Sequence, residues 1–417
     1  MQNDNPKFIM TLSIGLYSAQ FKNPITNLLA RAQSAFRIEE SSAGSRLEIW
    51  KSALKMISTR PVFGFGPDTF RLVFPGFQTL RYIKLGGRTT VADNAHDYPL
   101  QLGSTLGIPA VAIFLCLLII YFLKSLPLLI TGDIAKRPLY TGFVAGVCGY
   151  MIHLLFGVSV AGSTTFLWIF LGLIAAQMPN SVLAYKQIPP FRAVILGFLS
   201  IFVLGIAAVS TLPYFADIHF ARACDLAQSG HFKAAINEDQ LATRFYPHLD
   251  RYWCHLGTMY LNQSKLKKDK VLFNDAIRAF ERAKRTSPLE VDNYIFLAHA
   301  YRYGARSEYG KSYKSIYYAK AIKELKMALK LKPHSSIALG LLGICYLEMG
   351  REERVLKTFK NMVNIDPKYP KAHFYLGYCH EKLGNVKKAL RAYRTAMTLK
   401  PDYEEARKAY IRLRISI

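Results

Sequence analysis

The apolar positions of this 417-residue chain follow two regimes. Through its middle they run almost unbroken: no Asp, Glu, Lys or Arg occurs from Tyr98 to Leu123, from Pro138 to Tyr185, or from Ala193 to Ala216. A helix needs about 20 mostly apolar residues to cross a bilayer, so the first and third runs each fit one span. The second run is 48 residues long. As a single helix it would measure roughly 72 Å, over twice a hydrocarbon core of about 30 Å. It is therefore expected to fold back, around Gly157 to Thr165, and to supply two spans, for four in all.

Beyond residue 213 the pattern turns amphipathic and periodic. Prolines stand at 213, 247, 288, 333, 367 and 401, with spacings of 34, 41, 45, 34 and 34 residues. Trp253, Leu256, Gly257 and Tyr260, then Ala276, Phe280, Ala283 and Pro288, trace a helix–turn–helix unit with an insertion around Ser264 to Lys270. Leu342, Gly343, Tyr346, Phe359 and Pro367 trace another, and Leu376, Gly377, Ala389, Tyr393, Ala396 and Pro401 a third. A period of about 34 residues with this pattern resembles the tetratricopeptide repeat. About five repeats and a closing helix (Asp402 to Ile417) are expected, forming an α-solenoid that offers a surface to a protein partner. Residues 216–247 are the most degenerate repeat, with Arg222 and Asp239 at positions that are usually apolar.

Before the first apolar run lies the stretch most suited to chemistry. Trp50, Leu54 and Ile57 recur at i, i+4 and i+7, so Ser45 to Thr59 is expected to be an amphipathic helix with Arg46 in its first turn. Pro61 ends it. Phe63 to Asp68 is a Gly-marked turn (Gly64, Gly66) whose backbone N–H groups could meet an anion. A basic stretch (Arg81, Lys84, Arg88) follows, and then Asp93-Asn94-Ala95-His96-Asp97 leads into the first span. The fold class is thus all-α: residues 1–20 an apolar remnant, 21–97 an extracytoplasmic loop, 98–213 the membrane region, and 214–417 the repeats.

The formal net charge is +26. From Asp217 to Arg414 there are 37 Lys and Arg against 20 Asp and Glu. On a membrane chain without a nucleic-acid-reading motif, this points to a membrane surface or a polyanionic glycan rather than to nucleic acid. Lys124, Lys136 and Arg137 outweigh Asp133 between the first two spans, and Lys186 and Arg192 stand without an acid between the last two. Short basic loops stay in the cytoplasm, so both flanking regions are expected outside. The six cysteines show no metal-like spacing and read as packing residues. The run Phe8 to Ser18 is too short to span and lacks a signal-peptide cleavage site, so it reads as the end of a helix begun upstream.

Ser45 to Leu123 resembles the core of the O-antigen ligase/polymerase family, integral membrane enzymes that transfer glycans from undecaprenyl diphosphate. The matching residues are Arg46, the Pro61/Gly64/Gly66 turn, and His96 with Asp97 followed, after the nine residues Tyr98 to Leu106, by Gly107. Asp97 and Ala110 depart from the usual pattern, and an Asp close beside His96 would raise its pKa. The resemblance implies cofactor-free, metal-independent transfer of a glycan to a lipid or protein acceptor at the bacterial inner membrane. Arg46 would hold the donor diphosphate and His96 would act as general base. Arg81, Lys84 and Arg88 are weaker candidates for substrate binding. It leaves open a repeat-unit polymerase, or a membrane-anchored repeat scaffold without activity. It also implies further spans ahead of the loop, so the chain is expected to be the C-terminal part of a longer or split enzyme and inactive alone.

Overall fold

Among the described residues every regular element is a helix. The structure, a computed structural model, describes residues 42–86, 91–130, 132–155, 157, 161–177, 191–307 and 312–415. The apolar run Phe8 to Ser18 and the candidate residue Arg88 lie outside them.

Helix α1 (Ser42–Thr59) opens the described chain, and α2 (Leu80–Gly86) follows after one α-turn at Phe70–Val73 and a 3-10 turn at Phe74–Gly76. The buried edge of α1 is Ile49, Ala53 and Met56, packed with Phe70, Phe74 and Tyr82. That edge is one position off the expected Trp50, Leu54 and Ile57 stripe, and Leu54 is 55% exposed. Polar partners explain the shift. Glu48 and Ser52 are also buried on this face: Thr79 Oγ1 donates to the Glu48 carboxylate at 2.7 Å, and Ser52 Oγ donates to the Phe77 carbonyl at 3.0 Å. Buried polar groups are tolerated where they are hydrogen-bonded, and hydropathy alone misses such a face.

The first apolar run is broken in two. Helix α3 (Tyr98–Leu106) packs on α1 and stops at Gly107, whose φ is +91°. Helix α4 (Ile108–Ile130) then begins; it is long and apolar enough to cross a bilayer, and only 11% of its most apolar window is buried. Lys124, expected in the following loop, falls inside α4. The 48-residue run does fold back, as α5 (Arg137–Leu154) and α6 (Ala161–Gln177). Tyr140 and Val147 of α5 pack with Leu167 and Ile174 of α6 and with Tyr121 of α4. The Tyr150 hydroxyl and Thr164 Oγ1 meet at 2.8 Å across the turn. Helix α7 (Phe191–Ser210) completes the apolar part. Among the described residues α4 alone meets the length and hydropathy of a span; α6 and α7 carry shorter apolar segments, Thr164–Ile174 and Gly197–Ile206.

Five helix pairs and a closing helix make up the rest: α8 (Leu212–Gln228) with α9 (Phe232–Phe245), α10 (Asp250–Lys267) with α11 (Lys270–Thr286), and α12 (Val291–Arg306) with α13 (Lys314–Leu331). They continue as α14 (Ser336–Glu348) with α15 (Glu352–Ile365), α16 (Pro370–Lys382) with α17 (Val386–Leu399), and α18 (Glu404–Ile415). From α9 onward each second helix stops two residues before a proline, as the missing N–H requires. The glycines of the pattern face the aromatics: a Cβ on Gly257, Gly343 or Gly377 would meet the ring of Phe280, Phe359 or Tyr393 at 2.8, 2.4 or 2.7 Å. The 41-residue spacing is absorbed by lengthening α10 to Lys267 and turning at Lys268, with Asp269 capping α11. The irregular Asp239 is fully buried and pairs with His255 Nδ1 at 2.7 Å, which supplies the partner that a buried carboxylate needs. Of the cysteines, Cys254, Cys345 and Cys379 are core residues as expected, whereas Cys116 and Cys148 face outward from the apolar helices.

The repeats contact the loop segment ahead of the apolar helix α4. Arg71 Nη2 lies 2.8 Å from Glu290 Oε2 at the start of α12, and Gly76 approaches the Leu331 carbonyl at the end of α13 so closely that a Cβ would stand 3.2 Å from it. Filling the glycine–aromatic seam tests the packing: Gly343→Ala is expected to cost about 1–3 kcal/mol through overpacking, read as a lower melting temperature of the full chain, whereas an unchanged melt would mean the seam can relax freely.

Candidate active site

The glycine-marked turn is a backbone clasp. The Phe65 and Gly66 N–H groups donate to the Ser104 and Thr105 carbonyls at 3.1 and 2.8 Å, and Ile108 N–H donates to the Pro61 carbonyl at 2.7 Å. These bonds use donors that were expected to meet an anion, so the turn is not an anion nest. Side chains cannot enter this joint. A Cβ on Gly64 would lie 2.4 Å from the Thr105 backbone, and one on Gly107 only 2.1 Å from the Val62 carbonyl oxygen. The Pro61, Gly64, Gly66 and Gly107 pattern therefore encodes one junction, between the end of α1 and the α3–α4 break.

At the other end of α3 the chain from Asp93 to Asp97 is held from several sides. Trp50 Nε1 donates to the Ala95 carbonyl at 3.0 Å, and Ala95 N–H donates to Gln101 Oε1 at 2.9 Å. His96 N–H donates to Asn94 Oδ1 at 2.9 Å, and Leu100 N–H donates to the Asp97 carboxylate at 2.8 Å, making Asp97 the N-cap of α3. This network keeps His96 at φ +52°, in the left-handed region, and Asp68 nearby in the chain's turn is at +55°. Non-glycine residues adopt that conformation rarely, at a cost the surroundings must impose, and such residues gather at functional sites.

Both strained residues line one cavity of about 280 Å³, together with Asp93, Asp97, Gln101 and Gly157. Gly157 lies between α5 and α6 in the chain, so this residue meets the loop at the cavity. His153 abuts it: a Cβ on Gly157 would touch the His153 ring at 2.6 Å. His96 is half-buried, and its pKa is lowered from 6.5, first by burial and then by the Arg46 guanidinium, with Asp93 opposing. The expected increase from Asp97 does not arise; its carboxylate is committed to the Leu100 cap, and burial raises its own pKa. Arg46 is thus brought within electrostatic reach of His96, although they are 50 positions apart in sequence, while the carboxylates lie along the cavity.

The other candidates are not brought together. Arg81 and Lys84 are exposed on α2 and outside the cavity lining, with Arg81 acting on Glu48; Arg88 is outside the described residues. Reading by motif missed Asp68, Asp93 and Gln101. The Asp-rich spacing before and after His96 was the available signal, but only the tertiary fold brings Asp68 beside them. Among the described residues no group of three or more His, Cys, Asp or Glu is arranged to hold a metal ion.

Residues 7–115 match the family model described as O-antigen ligase, and residues 370–403 match the tetratricopeptide repeat. The chain therefore carries an O-antigen ligase-family segment joined to tetratricopeptide repeats. No curated protein matches it. Similar solved structures include a thermophilic tetratricopeptide-repeat protein of Thermus thermophilus, at 20% identity and TM-score 0.38, covering 48% of this chain and 99% of that one. Another is residues 41 to the end of MamA from Desulfovibrio magneticus, at 16% identity and TM-score 0.37, covering 45% and 96%. A third is YrrB, a repeat protein with an unusual peptide-binding site, at 20% identity and TM-score 0.34, covering 46% and 89%.

Since burial and Arg46 hold the His96 pKa below 6.5, the unfolded chain takes up this proton first as pH falls, and the group opposes folding below about pH 6.5. Replacing Arg46 by Gln removes one cause, so the His96 pKa is expected to rise in an NMR titration of the imidazole. A pKa that stays in place would separate the two residues.

Proposed function

We propose that this chain transfers a glycan from an undecaprenyl-diphosphate donor to a lipid or protein hydroxyl, at the outer face of a bacterial inner membrane. The observation that carries the proposal is the pairing of a neutral-leaning, half-buried His96 with the Arg46 cation in a segment matched by the O-antigen ligase family. In this reading the acceptor hydroxyl enters the cavity, where Asp68, Asp93 and Gln101 can take hydrogen bonds from or give them to a polyhydroxylated molecule. Three carboxylates along the wall disfavour a diphosphate there. Arg46 lies outside that lining and takes the diphosphate, which a guanidinium fork matches.

The acceptor oxygen attacks the anomeric carbon and the bond from that carbon to the diphosphate oxygen breaks. The hydroxyl proton passes to His96, and the departing diphosphate anion remains paired with Arg46. A base held neutral at pH 7 is ready to take that proton. Arg81, Lys84 and Arg88 contribute positive potential around the loop in this account.

The same reading takes α4 to α7 as four spans, with residues 42–97 and the repeats outside. Two contacts support the common side: Gly157 in the α5–α6 turn lines the His96 cavity, and Arg71 pairs with Glu290 of the repeats. The repeats would recruit a protein partner or acceptor.

His96→Ala, in a deletion strain complemented with the full gene, is expected to reduce glycan transfer by about 10²–10⁴-fold, the share general base catalysis supplies, with the protein level unchanged. A wild-type surface-glycan profile from that variant would remove the catalytic role and leave the scaffold reading.

A further inference from the structure

A cleft of about 790 Å³, within the range of ligand sites, lies on the second helices of the first two repeats, α9 and α11, with α10 as its floor. Residues Arg278, Arg282 and Arg285 follow one another at i, i+4 and i+7, so they share one face of α11, and Arg244 at the end of α9 stands opposite. All four are exposed, and Arg278 is in ion pair with Asp275, the one acid of the lining among the described residues. The floor is aromatic and apolar. Trp253 is half-buried, held by its Nε1 donating to the Pro247 carbonyl at 2.9 Å, and the Arg282 guanidinium sits 5.8 Å from its ring centroid. Gln240 Nε2 donates to the Tyr260 hydroxyl at 2.7 Å, which leaves the amide oxygen and the nearby Asn237 amide for a ligand.

Resting on the glycan-transfer reading, we infer that this cleft binds an acidic saccharide, a chain bearing uronic-acid carboxylates. Each component matches one feature of that class. Guanidinium forks pair planar carboxylates in two-point contacts, which ammonium groups do not. A flat, half-buried indole offers a face to the C–H side of a pyranose ring, and side-chain amides bond to hydroxyls. Other basic residues of these repeats are engaged in the fold: Lys284 reaches Glu324 at 3.1 Å and Arg251 reaches Asp217 at 3.0 Å. The cleft arginines are exposed, Arg278 on its Asp275 partner and Arg282 over the Trp253 ring. The helix ends that carry Arg244 and Arg285 are also at the edge of the solenoid whose next turn, at Glu290, touches the loop module.

The test is calorimetric titration of the full chain, in nanodiscs of zwitterionic lipid, with hexagalacturonate. Maltohexaose and hexaglutamate serve as comparators, and vesicles containing phosphatidylglycerol are tested by flotation. Hexagalacturonate is expected to bind, maltohexaose not, and hexaglutamate at least about ten-fold more weakly. Replacing Arg244, Arg282 and Arg285 together by Gln, at exposed positions that leave the fold intact by circular dichroism, is expected to weaken uronate binding about a hundred-fold. Uronate binding unchanged by these substitutions overturns the proposal. Equal binding of hexaglutamate assigns the cleft to acidic peptides, and vesicle binding lost in the triple variant without uronate binding assigns it to anionic lipid; either result overturns it. The His96→Ala chain is expected to bind hexagalacturonate as the wild type does, so loss of transfer there and loss of binding here are separate failures.

Discussion

Three backbone hydrogen bonds, from Phe65 and Gly66 to the end of α3 and from Ile108 back to Pro61, are what the rest of this architecture depends on. They bind the turn after α1 to the α3–α4 break, so the loop module is joined directly to the start of the apolar helix α4. Since α3 is only nine residues long, locking its C-terminal end also sets its N-terminal end, where Asp97 caps it and His96 precedes it. The same α1 that closes the clasp carries Arg46 at one end and holds the Ala95 carbonyl through Trp50. A side chain at Gly64 or Gly107 would press these backbones apart, which would displace the histidine without touching it.

The site has a division of charge. The Arg46 guanidinium acts on His96 and lowers its pKa, whereas Asp68, Asp93 and Asp97 line the adjoining cavity. Such an arrangement separates a place for an anion from a place for a neutral, hydroxyl-rich molecule, with a base between them. It fits transfer from a diphosphate donor to a hydroxyl acceptor. The left-handed backbone at His96 and Asp68 is strained and is offset by the hydrogen bonds around it.

Much of this organisation was legible in the chain. Proline spacing and the glycine–aromatic pattern give the helix pairs, because close helix approach and helix termination are local demands. Arg46 and His96 stood out by motif. What could not be read is what depends on partners distant in sequence. The buried face of α1 includes Glu48 and Ser52, whose acceptability rests on Thr79 and Phe77. The turn at Gly64 and Gly66 looked like an anion nest because its donors find partners only in α3. Asp97 looked like a neighbour of the imidazole until its cap was seen, and Asp68 joins the cavity only in the folded loop. The 23-residue α4 starts at Ile108 rather than Tyr98, since an apolar run does not reveal where a glycine breaks it.

The central claim is that Arg46 pairs with the donor diphosphate within electrostatic reach of His96, the base for the acceptor hydroxyl. The most direct measurement is the NMR titration of the His96 imidazole in the full chain, in nanodiscs, with and without an undecaprenyl diphosphate. Arg46 lowers the His96 pKa, so an anion paired with that guanidinium cancels the cause and adds negative charge nearby, and the account predicts that the pKa rises on binding. A pKa that does not move while the diphosphate is bound would place the lipid elsewhere and contradict the account.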